Sequence, residues 1–398
     1  MRIKYLITGA VSFWMFAIFY SMATINRREY EFGRLIVSEG DRTFLVVSAP
    51  ILILAGLLLF LWYRQIIFYL LKKDHSFLFL GIVFSLILFF SLFHWNSESV
   101  FYLVLFISTI IIALYLNLTV TLRFFLIASI AVIGMLFAFV VIHGPPDGRS
   151  IGGIHPNQIG AFALLATFFA ARSMHSTRWL IYSLGLGFAV AVSSRSAGIA
   201  ILIIMLVDYT SGISRMTLLR AFFITTFSAL FLVAVFVWFD WLTSWLELDS
   251  PDRGVGSGFT GRVEMMSAFL PQAIEKPILG HGFRQRENYQ ATHNGFLNFT
   301  LENGFIIAAA FVFVIFSALL TCVKRIRDKN ADSREPLILI GIFLAWGFNA
   351  FFEPQIVNFG DAFGVMTMFL LTAHAKWITI GKSHESVSIR SPMSQYYA

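Results

Sequence analysis

Residues 124–143 read FFLIASIAVIGMLFAFVVIH, a run without one Asp, Glu, Lys or Arg. An apolar helix needs about 20 residues to cross the hydrocarbon core of a bilayer, so this run predicts a membrane-spanning helix. The whole chain has the same character, because 58% of its 398 residues are hydrophobic and only 13% are charged. A globule of this size could not hide 45 Phe and nine Trp, which excludes a soluble protein.

Similar apolar runs recur along the sequence and predict an all-α integral membrane protein with about 12 transmembrane helices. Residues 1–375 form one polytopic membrane domain, and a polar cytoplasmic tail, 376–398, is expected to be disordered. The sixth, seventh, eighth and eleventh spans are short, which predicts tilted, broken or half-buried helices. The predicted spans are 5–25, 43–63, 76–93, 99–121, 124–143, 156–171, 179–193, 196–209, 219–239, 302–323, 337–352 and 359–375.

The charges fit this topology when both termini are placed in the cytoplasm. The cytoplasmic side then holds 18 of the 29 Lys and Arg residues and only six of the 22 acidic residues. Basic residues concentrate on the cytoplasmic side of membrane proteins, so the twelve-span arrangement agrees with the charge distribution. The net charge of +7 therefore reflects topology, and nucleic acid is not an expected partner.

One external loop is much longer than the others and spans residues 240–293, between the ninth and tenth predicted helices. Within this loop Val263, Met266, Leu270 and Ile274 recur at helical spacing. This pattern predicts an amphipathic helix that lies on the outer membrane surface.

Three external places carry polar residues that could do chemistry. Arg195 lies in a tight turn between two short spans, where an unpaired guanidinium is costly and calls for an anion, although its side chain could also snorkel to water. Arg262 follows Thr260 and Gly261 at the start of the amphipathic stretch, where it could bind phosphate or be a solvated loop residue. His293 precedes the tenth span, and its imidazole, with an ordinary pKa of about 6.5, could accept a proton or simply be interfacial.

Other polar residues border the same external space. His143, Asp147, Arg149, His155 and Asn157 crowd the loop after the fifth span, and we expect them to line the same cavity. Glu353 and Asp361 border the last external turn and could pair with one of the arginines. No P-loop, Asp-x-Asp pair or zinc-binding helix is present, and the single Cys322 excludes an intrachain disulfide, so no cofactor or metal is predicted.

Several motifs in order resemble the bacterial O-antigen ligase and polysaccharide polymerase superfamily. They are Ser194-Arg195-Ser196, Thr260-Gly261-Arg262, Pro277-Ile278-Leu279-Gly280-His281-Gly282 and His293-Asn294-Gly295-Phe296-Leu297, followed by Glu302 and Gly304. The resemblance covers residues 150–375. Ile307 stands where the ligase pattern has a small or polar residue, so the branch of the superfamily stays open.

The resemblance implies a metal-independent glycosyltransferase in the bacterial inner membrane with a periplasmic active site. Its donor would be a glycan on undecaprenyl pyrophosphate, and its acceptor a sugar hydroxyl. By the same resemblance, His293 is the general base or positions the acceptor, Arg195 and Arg262 bind the pyrophosphate, and Arg284 is a third candidate for that role. Asn294 and Glu302 are expected to orient the acceptor.

The chemistry agrees with these roles. Pyrophosphate is a good leaving group, so the enzyme needs cations that stabilise the developing charge and a base for the attacking hydroxyl. Arginine suits phosphate because its charge is fixed and its two-pronged guanidinium binds two oxygens. Attack from the face opposite the pyrophosphate would invert the anomeric centre.

Three alternatives remain at this point. A ligase with a lipid A core acceptor is our first choice, and a polymerase that extends one repeat unit with another shares the same chemistry. A twelve-span transporter or flippase is the alternative from another class, because the span count also fits such a protein. A structural membrane subunit would leave Arg195 and His293 without a role.

Overall fold

The computed structural model describes residues 30–31, 34–35, 118–145, 156–211, 269–282, 294–327 and 334–353, with single residues between them. This part of the chain is mostly helical, with short turns between helices and an antiparallel ladder in which β1 (Tyr30–Glu31) pairs with β2 (Arg34–Leu35). The helices are α1 (Leu118–His143), α2 (Pro156–Ser173), α3 (Arg178–Ala191), α4 (Arg195–Ser211), α5 (Phe269–Glu275), α6 (Gly295–Arg327) and α7 (Arg334–Phe352).

Three stretches of the described residues are long and apolar enough to cross a membrane. They are Phe125–His143, Gly295–Arg327 and Arg334–Phe352. They overlap the predicted spans 124–143, 302–323 and 337–352, although α6 begins seven residues before its predicted span. The prediction of a helical membrane protein is confirmed in this part of the chain, whereas the count of twelve spans includes segments outside the described residues.

Helix α2 lies at the centre of the described bundle and packs against α1, α3, α4 and α7. All of its residues from Ile159 to Ser173 are buried. Stacking between Phe125 and Phe169, with centroids 5.5 Å apart, joins α1 to α2. A helix enclosed by protein on all sides need not match the lipid thickness, which explains why the sixth predicted span is short.

Two glycines allow close helix packing around this centre. A methyl group on Gly185 of α3 would lie 3.0 Å from Thr167 Oγ1 of α2, and one on Gly341 of α7 would lie 2.9 Å from the Val207 side chain of α4. Small residues at such contacts let helix backbones approach closely in membranes, where packing drives association.

The antiparallel bundle formed by α2, α3, α4 and α7 has two distinct ends. At the first, the Arg178 end, Arg178 forms an ion pair with Asp208, which also lies 3.5 Å from the Arg334 guanidinium. Arg172 contacts Glu335 at 2.7 Å nearby, and both side chains are almost fully buried. All five belong to the charged residues that the predicted topology assigns to the cytoplasmic side, and the structure gathers them at one end of the bundle.

Candidate functional site

The opposite end of the bundle, which we call the Asn157 end, gathers polar residues from α2, α4 and α7. The Asn157 side-chain amide donates a hydrogen bond of 2.7 Å to Glu353 Oε1, and Glu353 is only 4% exposed. Ser194, just before α4, is buried against Gly160 of α2. Asn157 and Glu353 were both expected to border the external space, and the structure brings them into contact.

Arg195 lies at the level of Glu353 at this end. Val207 faces Gly341 where α4 packs against α7, and the two helices run antiparallel. Arg195 lies twelve residues before Val207, and Glu353 lies twelve residues after Gly341. Because the rise per residue is the same along both helices, Arg195 and Glu353 lie at the same height. Arg195 is partly exposed and is the first residue of α4, where helix N–H groups also favour an anion.

A network of hydrogen bonds surrounds the position of His293 in the sequence. Asn298 Oδ1 accepts from the Thr292 backbone N–H at 2.6 Å, and Asn298 Nδ2 donates to the Thr292 carbonyl at 2.7 Å. The Thr292 hydroxyl in turn accepts from the Asn294 backbone N–H at 3.2 Å. The residues on both sides of His293 are therefore anchored to the first turns of α6.

Asn294 serves as the N-cap of α6. Its Oδ1 accepts from the backbone N–H groups of Phe296 at 2.9 Å and of Leu297 at 3.1 Å. These N–H groups have no partner within the helix, so the contact fixes where α6 begins. Asn294 is 4% exposed, and its predicted role in orienting the acceptor stays a prediction.

Further along α6, the helix is interrupted at Gly304, and a second segment fills the break. Gly304 has φ 79° and ψ 168°, a conformation that other residues rarely adopt. The backbone N–H groups of His281 and Gly282 donate to the carbonyls of Leu301 and Glu302 at 2.7 and 3.1 Å. The Phe305 N–H donates to the Pro277 carbonyl at 2.8 Å. We call this pairing of residues 277–282 with residues 301–305 the interlock.

Both glycines of the interlock are required by space as well as by conformation. A methyl group on Gly304 would overlap the Ile278 carbonyl, and one on Gly280 would lie 2.5 Å from the Glu302 carbonyl carbon. His281 is buried, and its Nε2 lies 2.9 Å from the Gln272 carbonyl, which ties α5 to the interlock. Glu302, predicted to orient the acceptor, is 4% exposed and belongs to this contact through its backbone.

An apolar cavity of about 490 Å³ runs along α6 beside these residues. Six phenylalanines line it on both sides of the helix break, and Thr300 is its one polar lining residue. Phe296, close to the Asn294 cap, packs edge-on against Trp346 of α7 with centroids 5.6 Å apart. The lining phenylalanines are Phe296, Phe299, Phe305, Phe311, Phe313 and Phe316.

Of the predicted site residues, the structure describes Arg195, Asn294 and Glu302. His293, Arg262 and Arg284 lie outside the described residues, and the roles of all six residues stay predictions. Among the described residues, no group of three or more His, Cys, Asp or Glu side chains is placed to hold a metal ion.

Sequence reasoning missed Asn298, which makes three of the contacts with Thr292. Asn298 lies four residues after Asn294 and therefore on the same face of α6. This spacing is the feature of the sequence that could have identified it. Asn303, which donates to the Phe299 carbonyl at 3.0 Å, was also missed.

Comparison with known proteins adds no assignment. No family model and no curated protein matches the chain.

Proposed function

We propose that the protein is a glycosyltransferase that moves a glycan from undecaprenyl pyrophosphate to a sugar hydroxyl, in the manner of O-antigen ligases. One observation carries the proposal. Two of the sequence pieces that resemble this superfamily, residues 277–282 and the pair Glu302 and Gly304, come together in the interlock, where residues 277–282 contact residues 301–305. Motifs that lie about 20 residues apart in the sequence thus belong to one structural unit, as pieces of one site would.

The proposed reaction requires no group beyond the substrates and the protein. The acceptor oxygen forms a bond to the anomeric carbon of the donor sugar while the bond from that carbon to the pyrophosphate oxygen breaks. His293 takes the hydroxyl proton, and undecaprenyl pyrophosphate leaves with the bonding electrons. Arg195, with Arg262 and Arg284, stabilises the charge that develops on the pyrophosphate.

The described geometry suits such a donor. Arg195 starts α4 at the Asn157 end, and the helix dipole adds to its positive charge. The cavity along α6 offers a long apolar wall to a lipid chain, and it begins at Phe296, near the capped start of α6. A charged head and an apolar tail therefore each have a matching surface. In this proposal the Asn157 end faces the periplasm and the Arg178 end faces the cytoplasm of a bacterial inner membrane.

The acceptor decides between the two branches of the proposal. Purified protein should be incubated with undecaprenyl-pyrophosphate glycan and either lipid A core or a second lipid-linked repeat unit. A ligase transfers glycan to lipid A core, which is our first choice, and a polymerase lengthens the lipid-linked glycan. Transfer to neither acceptor, by protein that is folded in detergent, would refute both.

The transporter alternative has support of its own at the Arg178 end. Five charged residues from α2, α3, α4 and α7 meet there, and the side chains of Arg172, Asp208 and Glu335 are at most 2% exposed. Buried charges of this kind occur on the pathways of ions and substrates. A transporter would accumulate substrate in proteoliposomes only when an ion gradient is applied, whereas a glycosyltransferase acts without one.

A further inference from the structure

An apolar ridge is exposed beside the break in α6. It consists of Leu270, Ile274 and Ile278, whose side chains are 56%, 63% and 54% exposed. The residues are spaced four apart, so the two in α5 lie on one face of that helix. Ala273 lies on a neighbouring side of the same helix, is 4% exposed and packs in one cluster with Leu301 of α6. This segment thus turns its small residue to the protein and its large ones away from it.

The ridge lies at the edge of the apolar part of α6. Residues 305–323 contain no charged side chain, and Lys324 and Arg325 follow them. At a rise of about 1.5 Å per residue, this stretch is long enough to cross a hydrocarbon core of about 30 Å, which puts Gly304 at its far boundary. Phe269 of α5 packs edge-on against Phe305, with centroids 6.5 Å apart. α5 and the ridge therefore sit at the height where the hydrocarbon ends.

The ridge continues a surface that α6 itself turns outward. Phe305 and Ile306 are 41% and 53% exposed, directly beside the contact with Phe269. Further along the same span, Phe316 is 56% exposed. In a membrane-spanning helix such side chains face lipid, so the ridge extends a lipid-facing wall at its upper edge.

The backbone of residues 277–282 also suits an environment without water. The turn at residues 277–282 is irregular, yet its N–H groups at Gly280, His281 and Gly282 all donate to carbonyls, of Lys276, Leu301 and Glu302. Pro277 has no N–H group, and its carbonyl accepts from Phe305. Irregular backbone is tolerated at membrane depth where it is buried in protein, as Gly280, His281 and Gly282 are.

We propose that Leu270, Ile274 and Ile278 insert into the acyl chains of the bilayer and that the interlock holds this lipid-embedded ridge on α6. The partner is the lipid bilayer itself, and the proposal does not depend on the enzymatic reaction. The sequence predicted a helix on the membrane surface from residues 263–274, and the structure adds Ile278 and the attachment to the break at Gly304.

Spin-label accessibility tests this proposal. Cys322 is the only cysteine, so a Cys322→Ala background allows single labels at Leu270→Cys, Ile274→Cys and Ile278→Cys in the full-length protein in liposomes. Glu275→Cys is the matched control, since Glu275 is exposed and adjoins Ile274 in the sequence. Unchanged elution of each variant on size exclusion shows that it is folded.

At the three ridge positions, collisions with oxygen, which concentrates in lipid, should exceed collisions with the water-soluble nickel chelate NiEDDA. The order should reverse at the control position. NiEDDA collisions at the ridge equal to those at Glu275→Cys would place the ridge in water and overturn the proposal. Labels shielded from both reagents, or broadened by a second label nearby, would show that protein covers the ridge, which also overturns it.

Discussion

Gly304 combines a conformation and a close contact that only glycine tolerates. Its φ of 79° lies in the left-handed half of the backbone map, and an added methyl group would overlap the Ile278 carbonyl. We expect Gly304→Ala to destabilise the protein by at least about 2 kcal/mol, because it adds backbone strain and opens the interlock. Gly347→Ala is the control, since Gly347 lies in α7 with no atom within 4 Å of an added methyl group. Thermal unfolding in detergent measures both, and equal melting temperatures would contradict the role of the interlock.

Asn298 anchors the residues that flank His293, and its removal should affect the rate more than donor binding. We expect Asn298→Ala to lower kcat by about 100-fold and to leave KM for the lipid-linked donor within a few-fold, because small displacements of a catalytic group are costly. Asn303→Ala is the control, since Asn303 is a buried asparagine that bonds to Phe299 and not to Thr292. Steady-state transfer kinetics check this, and equal losses in the two variants would indicate general destabilisation instead.

At the residue scale, the sequence said little about the contacts that individual side chains make. Gly185 packs against Thr167 of α2, whereas an added methyl group on Gly187, two residues later in α3, would have no atom within 4 Å. The Asn294 oxygen caps α6, a contact that the sequence did not predict, and the role of Asn294 toward the acceptor stays a prediction. Residue type and spacing predict a polar or small side chain, but the choice among its possible partners depends on packing that no local pattern contains.

At the scale of elements, apolar run length predicted the described helices to within a few residues. The ends of α2, α3, α4 and α7 differ from the predicted spans by at most three residues. The exceptions are α1, which begins at Leu118, six residues before its predicted span, and α6, which begins at Gly295 and is interrupted at Gly304. The sequence could not show this break, because the carbonyls it frees are satisfied by residues 277–282, which are distant in sequence.

The contact between Arg172 of α2 and Glu335 of α7 is a buried ion pair. Glu335→Gln should cost about 3–5 kcal/mol, because it leaves the Arg172 charge buried without its anion. The double variant Arg172→Met, Glu335→Leu should recover most of this loss, since well-packed apolar residues can replace a buried pair at little cost. A double-mutant cycle on unfolding free energies checks this, and additive losses would show that the two side chains are not coupled.

At the scale of the whole molecule, the charge distribution predicted which helix ends share a side of the membrane. In the described bundle, Arg172, Arg178 and Asp208 lie at one end, and Asn157 and Glu353 lie at the other. The predicted topology assigns these two groups to opposite sides in the same way. The alternation of the chain between two faces therefore follows from charge and hydropathy. How the helices pack around α2 does not, because all of them are apolar on nearly every face.

The two ends should react differently with a membrane-impermeant thiol reagent. In a Cys322→Ala background, Ser176→Cys lies in the turn at the Arg178 end, and His143→Cys lies at the end of α1, on the predicted external side. Both positions are exposed. In intact spheroplasts, only His143→Cys should be labelled, and Ser176→Cys should be labelled after permeabilisation. The opposite pattern would invert the topology and place the proposed site in the cytoplasm.

The most direct test of the proposed function is glycan transfer by the wild type and by His293→Ala in the same assay. Each purified protein is given undecaprenyl-pyrophosphate glycan and lipid A core in buffer containing EDTA, and the glycosylated product and released undecaprenyl pyrophosphate are measured together. The wild type should form both in equal amounts, and His293→Ala should lose at least about 100-fold in rate, as expected when a general base is removed. Equal rates for the two proteins would contradict the proposal. So would the absence of product from the folded wild type with both lipid A core and a second lipid-linked repeat unit as acceptor.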